Sequence, residues 1–326
     1  MCGMLDHYLQ AFRRLRVDTN RRSWTEVTKF KSPYKPFLLM SVMDMVADGS
    51  ITRNFIEPSL DLTETWLGYI ALLPPLNRQA SMAYPFFYLI GDGFWNLKPR
   101  PDVEVKHGQT VSSIKRLREF YYGAKFNDDL FPLLQMKSSR EKLRGALIDT
   151  FFAPEVQPRL WEQAVLNLDA AEYSSKLLGV ADKPITVPSN SESETTEKVR
   201  DQGFRKAIVR LYDHRCALCG IKIITDENHT IVEAAHIKPW SVSHDDRPTN
   251  GMALCKLCHW SFDEGLMAVG SEYQVLVSQI VKKDPNLPGH MLTLSDRPIF
   301  CPSESKLWPA LGNFQWHRKT RFRRSG

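Results

Sequence analysis

The chain has 326 residues, a length that suits two domains. With 43% hydrophobic and 25% charged residues it has a globular composition, which excludes a chain disordered throughout and a low-complexity or collagen-like one. The net charge of +6 is unevenly placed: Arg13, Arg14, Arg16, Arg21, Arg22, Lys29, Lys31 and Lys35 meet only Asp6, Asp18 and Glu26, and the tail HRKTRFRRSG holds five Lys or Arg and no acid. Basic clusters near both ends point to a polyanionic partner, because neutralising phosphates releases counterions. Solvated charged faces are the alternative.

The opening MCGMLDHYLQAFRRLR turns basic within a helical pattern and has no signal-peptide core. The longest apolar stretch, Phe37 to Ala47, is interrupted by Ser41 and Asp44 and falls short of the ~20 residues a membrane span needs. A soluble, cytoplasmic protein without a membrane partner is expected. Residues 1–155 read as one mixed α and β domain. Leu9, Phe12 and Leu15 begin a helical stripe, Pro36 suits the first turn of a buried helix and Gly49 stops it. Residues 84–97, YPFFYLIGDGFWNL, predict two short strands around the Gly91-Asp92-Gly93 turn. Ser138 with Glu141 suggests a capping box, after which Leu143, Leu147 and Phe151 share one helical face.

Residues 156–197 read as a helical connector and polar linker, KPITVPSNSESETTE being poor in large apolar groups. A second domain follows over 198–326, opening on a helix whose face carries Phe204, Ile208 and Leu211/Tyr212. Six cysteines would build a disulfide framework only in a small secreted chain. Here Cys2 and Cys301 stand apart, while Cys216-Ala-Leu-Cys219 and Cys255-Lys-Leu-Cys258 form two knuckles. In a cytosolic chain such a pair reads as one structural, tetrahedral zinc site. The 35 residues between the knuckles exceed the usual ribbon spacing, so something of functional size is expected there.

Across that insertion run I-V-E-A-A-H-I-K-P-W and N-G-M-A-L-C-K-L-C-H-W-S-F-D-E-G, in which His236, Asn250 and His259 are 14 and 9 positions apart. Residues 200–270 resemble the HNH endonuclease family: the spacing, the AAHI flank, the Asn-Gly step, the helical H-x-x-x-D and the enclosing CxxC pairs agree together. The resemblance implies an α+β protein, with an N-terminal mixed α/β DNA-recognition domain and a C-terminal ββα-metal (HNH) domain carrying a four-cysteine zinc site. It implies hydrolysis of phosphodiester bonds to 5′-phosphate and 3′-hydroxyl ends. Such a reaction needs a base for water and a cation for the charge on phosphate. By the family pattern His236 is the base, Asn250 orients it by bridging loop backbone groups, and His259 is a ligand of a catalytic Mg2+ or Mn2+. Many members place an Asp or His ligand immediately before the base, where this chain has Ala235. Asp263, one helical turn beyond His259, is the expected further ligand, with a helix-stabilising carboxylate as the alternative. Strand alternation puts Glu233 on the face opposite His236.

The stretch from Tyr84 to Leu89, with Asp92-Gly93-Phe94-Trp95, is similar to the N-terminal modules of bacterial restriction endonucleases of this architecture. Some of those are sulfur-binding domains that read phosphorothioate DNA. Sulfur is larger, softer and less hydrated than oxygen, so Tyr84 and Pro85 would form an apolar cup. Arg78, Lys35 and the arginines of residues 13–22 would hold the remaining anionic oxygen. Tyr88 departs from this pattern, because sulfur-reading members often carry a small residue there. A methylated or hydroxymethylated base, flipped onto Trp24, Trp66 or Trp95, is a sibling expectation. The leading expectation is a modification-dependent, type IV-like restriction endonuclease acting on double-stranded DNA, with a homodimer suited to making two nicks. The alternatives are an HNH nuclease for unmodified or base-methylated DNA and a non-catalytic, zinc-stabilised DNA-binding protein.

Overall fold

Helix α1 (Cys2–Arg13) turns Tyr8 and Phe12 into an apolar core. Helix α2 (Tyr34–Ala47) then runs through that core, buried from Lys35 to Val46. Pro36 lies in its first turn, where a missing N–H leaves no orphan, and Gly49 leaves the helix at φ +79°. The computed structural model describes residues 2–74, 81–103, 110–179, 194–282 and 289–323. It divides into one unit of Met1–Leu168 with Thr225–His229, and a second of Asp169–Ile224 with Thr230–Gly326.

In the first unit α3 (Leu60–Ile70) is capped by Ser59, whose hydroxyl accepts from Leu62 N–H, and it brings Trp66 and Tyr69 against α2. Burying Asp44 in the apolar α2 is costly without partners. Arg144 Nη2 donates to it at 2.8 Å, as do the Tyr69 hydroxyl and the Asn167 amide, both also at 2.8 Å. Burial raises the Asp44 carboxyl, against the opposing pull of Arg144 and these hydrogen bonds.

The sequence-based hairpin at residues 84–97 is corrected. Residues 83–88 form a helix, α4 (Ala83–Tyr88), followed by a 3-10 turn over Leu89–Asp92. Ala83, Phe86 and Leu89 are buried while Tyr84 and Tyr88 are exposed, a spacing of three and four rather than two. The aromatic content that favours strands is outweighed by this helical apolar face and by Pro85 in the first turn. Only the end of the segment extends, as β1 (Trp95–Pro99), and its partner lies beyond α5 (Ile114–Phe120) in β2 (Tyr121–Phe126). The two strands are antiparallel, with Trp95 opposite Phe126. After α6 (Leu130–Gln135), α7 (Lys137–Phe151) begins at Met136 without a side-chain cap. The Ser138/Glu141 box is therefore not formed as a cap: the helix has already begun at Lys137, and Glu141 faces Arg140 and Arg144. Leu143, Leu147 and Phe151 are buried as their spacing predicts. Helix α8 (Gln157–Gly179) contributes residues to both units. Of the polar linker, residues 180–193 lie outside those described.

The second unit has its own hydrophobic cluster, built on Phe204, Ala207 and Ile208 of α9 (Glu194–Leu211). These residues pack on the antiparallel pair β3 (Val232–His236) and β4 (Gly251–Cys255), which are joined by a loop containing α10 (Trp240–Ser243). His236 lies opposite Gly251, and a Cβ at Gly251 would stand 2.4 Å from Ile208 Cδ1, so the glycine lets α9 approach. Helix α11 (Lys256–Asp263) follows β4 directly. Beyond it come β5 (Met267–Val269) paired with β6 (Val275–Val277), then α12 (Gln279–Lys282), α13 (Gly289–Leu292) and α14 (Leu311–Thr320). Helix α14 is fixed to α11 through His317, whose ring stacks on Phe262 at 3.7 Å and whose Nε2 lies 2.9 Å from the Phe262 carbonyl. Among the described residues no helix is long and apolar enough to cross a membrane.

Candidate active site and metal centre

The first knuckle forms because Gly220, at φ +75°, lets the chain turn back so that its N–H reaches the Cys216 carbonyl at 2.9 Å. The Ala217 N–H donates to the Ala253 carbonyl of β4 at 2.7 Å, which sets the first knuckle beside the second. There Cys255 ends β4 and Cys258 sits in the first turn of α11. All four sulfurs lie within 4.8 Å of one another, and Cys219 and Cys255 are 3.8 Å apart. Thiolates bound to one zinc at about 2.3 Å would be ~3.8 Å from each other. Hydrogen bonding within the cluster pushes Cys216 down to about 7 and Cys255 lower still, while Cys219 and Cys258 are pushed up. Four thiolates around a dication would relieve the crowding of these thiols. The cluster can bind a metal ion such as zinc.

Asn250 is fully buried at the foot of the 237–250 loop. Its Oδ1 accepts from Lys238 N–H at 3.0 Å, and its Nδ2 donates to the carbonyls of Lys238 and Asp245, each at 2.9 Å. The Ile237 N–H donates to the Asn250 carbonyl at 2.9 Å. One side chain therefore ties both legs of the loop, which is the bridging geometry the sequence suggests for it.

His236 ends β3 with its ring parallel to Phe204 of α9, 3.9 Å between centroids and 4° between planes. Its Nε2 lies 2.6 Å from Asp246 Oδ1. Asp246 Oδ2 accepts from the Tyr173 hydroxyl at 2.8 Å and lies 3.5 Å from Arg200 Nε. Burial first, and then Asp246, pushes the Tyr173 hydroxyl well above the ordinary tyrosine range. Arg200 in turn stacks over Trp240 at 3.9 Å.

His259 stands on α11 one residue beyond Cys258, so the cysteine cluster fixes its backbone. Its Nδ1 is 3.4 Å from Glu233 Oε2 and its Nε2 is 3.5 Å from Asp263 Oδ2. Two ligands of one ion at about 2.1 Å are separated by roughly 3.0 to 3.4 Å, for octahedral to tetrahedral angles. Each ring nitrogen thus has one carboxylate oxygen at a separation that a shared divalent ion would set, so that an ion on either nitrogen would have two protein ligand atoms; among the described residues the one group of three or more is that of the four cysteines. Glu233 reaches α11 because it is on the strand face opposite His236, the face it shares with Ala235 two residues later.

Alternation counted against Glu233 as a ligand beside His236, and it does place the two on opposite faces of β3. Asp246, Tyr173 and Arg200 carry no mark in the sequence, and Phe204 is legible there only as part of an apolar helix face, since they come from a loop and two helices that only tertiary structure gathers. The residues proposed for modified DNA are distributed differently. On α4, Tyr84 is exposed and Pro85 is buried. Lys35 is 7% exposed and paired with Asp92 at 2.6 Å, so its charge is neutralised inside the first unit. Arg78 lies outside the described residues.

Residues 216–270 match the family model of the HNH endonuclease. The chain thus carries an HNH endonuclease domain, which embraces β3, β4, α11 and both knuckles. Among solved structures it is similar to one titled "Modification dependent TagI restriction endonuclease", at 23% identity and a TM-score of 0.28, over 36% of this chain and 36% of that one. The chain therefore spans about a third of that structure's length. No curated protein matches it.

Proposed function

We propose that this HNH-bearing protein is a modification-dependent, type IV-like restriction endonuclease of double-stranded DNA, in which the second unit cuts and the first unit reads the modification. The observation that carries the hydrolytic part is the β3–β4–α11 arrangement: His236 ends one strand, Asn250 ties the loop, and His259 opens the helix, all within the HNH match. In this reading His236 takes a proton from water as the water oxygen bonds to phosphorus. Asn250 keeps the loop behind His236 in one conformation. His259, with Asp263, holds Mg2+ or Mn2+, the ions that imidazole-poor and carboxylate-rich sites suit, while Glu233, on the strand face away from His236, lies against the other ring nitrogen. When bound, the ion supplies positive charge to the phosphate and the leaving oxygen. Zinc on Cys216, Cys219, Cys255 and Cys258 is structural and keeps His259 in place.

Support for recognition in the first unit is the exposed edge of α4. Tyr84 and Tyr88, 43% and 47% exposed, are one turn apart, and Ile90 is 52% exposed. An apolar surface favours a poorly hydrated sulfur over a phosphate oxygen. Arg16 is exposed, and its backbone N–H donates to Asp92 Oδ1 at 2.7 Å, which sets it beside this edge. With Lys35 neutralised, the arginines of residues 13–22 are among the cations that would hold the remaining oxygen. Cutting both strands suits a homodimer acting in the cytoplasm on intracellular DNA.

The test is a panel of phosphorothioate, methylated and plain duplexes of one sequence, cut by the wild type and by His236→Ala. The wild type is expected to cut the phosphorothioate duplex fastest, and His236→Ala to lose ~10²–10⁴-fold in rate while still binding DNA. Equal wild-type rates on all three duplexes would remove modification dependence. A His236→Ala protein that cuts normally would remove the base assignment.

A further inference from the structure

A neutral imidazole accepts a proton at one nitrogen only when the other carries a hydrogen, and which nitrogen carries it depends on the partners. For His236 the partner is Asp246. The Nε2–Oδ1 distance of 2.6 Å is at the short end for a hydrogen bond to a carboxylate. The Asp246 side chain is 2% exposed and holds its place through both oxygens, Oδ1 on the imidazole and Oδ2 on Tyr173 and Arg200. An ionised carboxylate only accepts, so the hydrogen on the short line belongs to Nε2. Phe204 covers one face of the ring, a fifth of the His236 side chain remains open, and among the described residues nothing bonds Nδ1. The neighbouring charges do not compete for this contact: Asp245 is held by Arg247 at 2.8 and 2.9 Å, and Arg200 lies against the other oxygen of Asp246.

We propose that Asp246 is the positioning residue of the hydrolytic step: it fixes the Nε2–H tautomer of His236 and leaves Nδ1 as the atom that receives the proton of the attacking water. The proposal rests on the reading of His236 as base. In the step, the water oxygen forms a bond to phosphorus as its proton passes to Nδ1. The bond from phosphorus to the 3′ oxygen breaks, and its electron pair leaves with that oxygen, which takes a proton from solvent to become the 3′-hydroxyl. Asp246 stays ionised throughout and stabilises the imidazolium that forms, in the manner of a carboxylate behind a catalytic histidine. Tyr173 and Arg200, from α8 and α9, keep Asp246 aimed.

The experiment uses the full-length, zinc-loaded protein with ¹⁵N-labelled histidine. Long-range ¹H–¹⁵N spectra read the tautomer, and the His236 signals are identified by their loss in His236→Gln. A hydrogen on Nε2 with a bare Nδ1 is the expected result, and a hydrogen on Nδ1 overturns the proposal whether or not the protein cuts DNA. Asp246→Asn is expected to lower kcat by ~10²–10⁴-fold, with KM for duplex DNA within about twofold, and to mix the two tautomers. Asp246→Glu, which restores the charge, is expected to recover part of the loss. Wild-type kcat and pH profile in Asp246→Asn, with His236→Ala inactive, overturn the positioning role alone. Wild-type cutting by His236→Ala is a different result and strikes the base reading. If Asp246→Asn does not fold, the wild-type spectrum still decides.

Discussion

His317 shows how a single buried imidazole can set the acid limit of the second unit. Desolvation pushes it down to about 4, even though its hydrogen bond to the Phe262 carbonyl opposes the shift. In the unfolded chain a histidine titrates near 6.5, so as the pH falls the unfolded state takes up the proton first. Stability is therefore complete above about 6.5 and is lost as the pH falls toward 4, by at most ~1.4 kcal/mol per pH unit for this one group. Urea unfolding followed between pH 7 and 4.5 should show this decline, and His317→Phe should flatten it while losing ~1 kcal/mol at neutral pH for the abandoned carbonyl. An unchanged slope in the variant would show that other groups set the limit. The sequence made the cysteine knuckles and the HNH stretch between and beyond them legible, because a tetrahedral thiolate site restricts residue type and separation together. It could not reveal Asp246, because an aspartate in a polar loop has no local mark. Its significance arises from Tyr173 and Arg200, each about 50 to 70 residues away in the chain.

Close approach of elements gives a second kind of prediction. At Gly251 a Cβ would press on Ile208 Cδ1 at 2.4 Å and meet Phe204 Cζ at 3.0 Å, the ring that stacks on His236. Gly251→Ala should therefore cost ~1–3 kcal/mol by overpacking and disturb cleavage as α9 is displaced from the hairpin. Gly49 has nothing within 4 Å of its would-be Cβ but sits at φ +79°, so Gly49→Ala should cost only about 1 kcal/mol, through the backbone. Thermal melts of the two variants check the contrast, and equal losses would contradict it. The elements themselves were unevenly legible. Helices with a sustained apolar face, such as α2, α7 and α9, could be read directly. The segment 84–97 could not, because a short run rich in aromatics fits either period, and the decision fell to burial of Phe86 and Leu89 against neighbours far along the chain.

At the scale of the whole molecule, each unit has its own apolar cluster, and each is sensitive to a different substitution. Asp44→Ala leaves the buried Arg144 with only the half-exposed Glu141 as a counter-charge, and should cost about 3–5 kcal/mol in the first unit without altering zinc content. Cys255→Ser should do the reverse, loosening the second unit and lowering bound zinc. Hydrogen exchange resolved by segment separates the two; exchange rising throughout the chain in either variant would show that the clusters do not melt independently. Cys255 is also the residue at which β4 becomes α11, with Cys258 and His259 in the following turn. If His259 is a ligand as proposed, a molecule without a thiolate-bound ion would have no ordered place for a second one. Titrated with manganese, a preparation half filled with zinc should register half a site per chain at an undiminished affinity, so that incomplete loading shows itself in stoichiometry rather than in strength of binding.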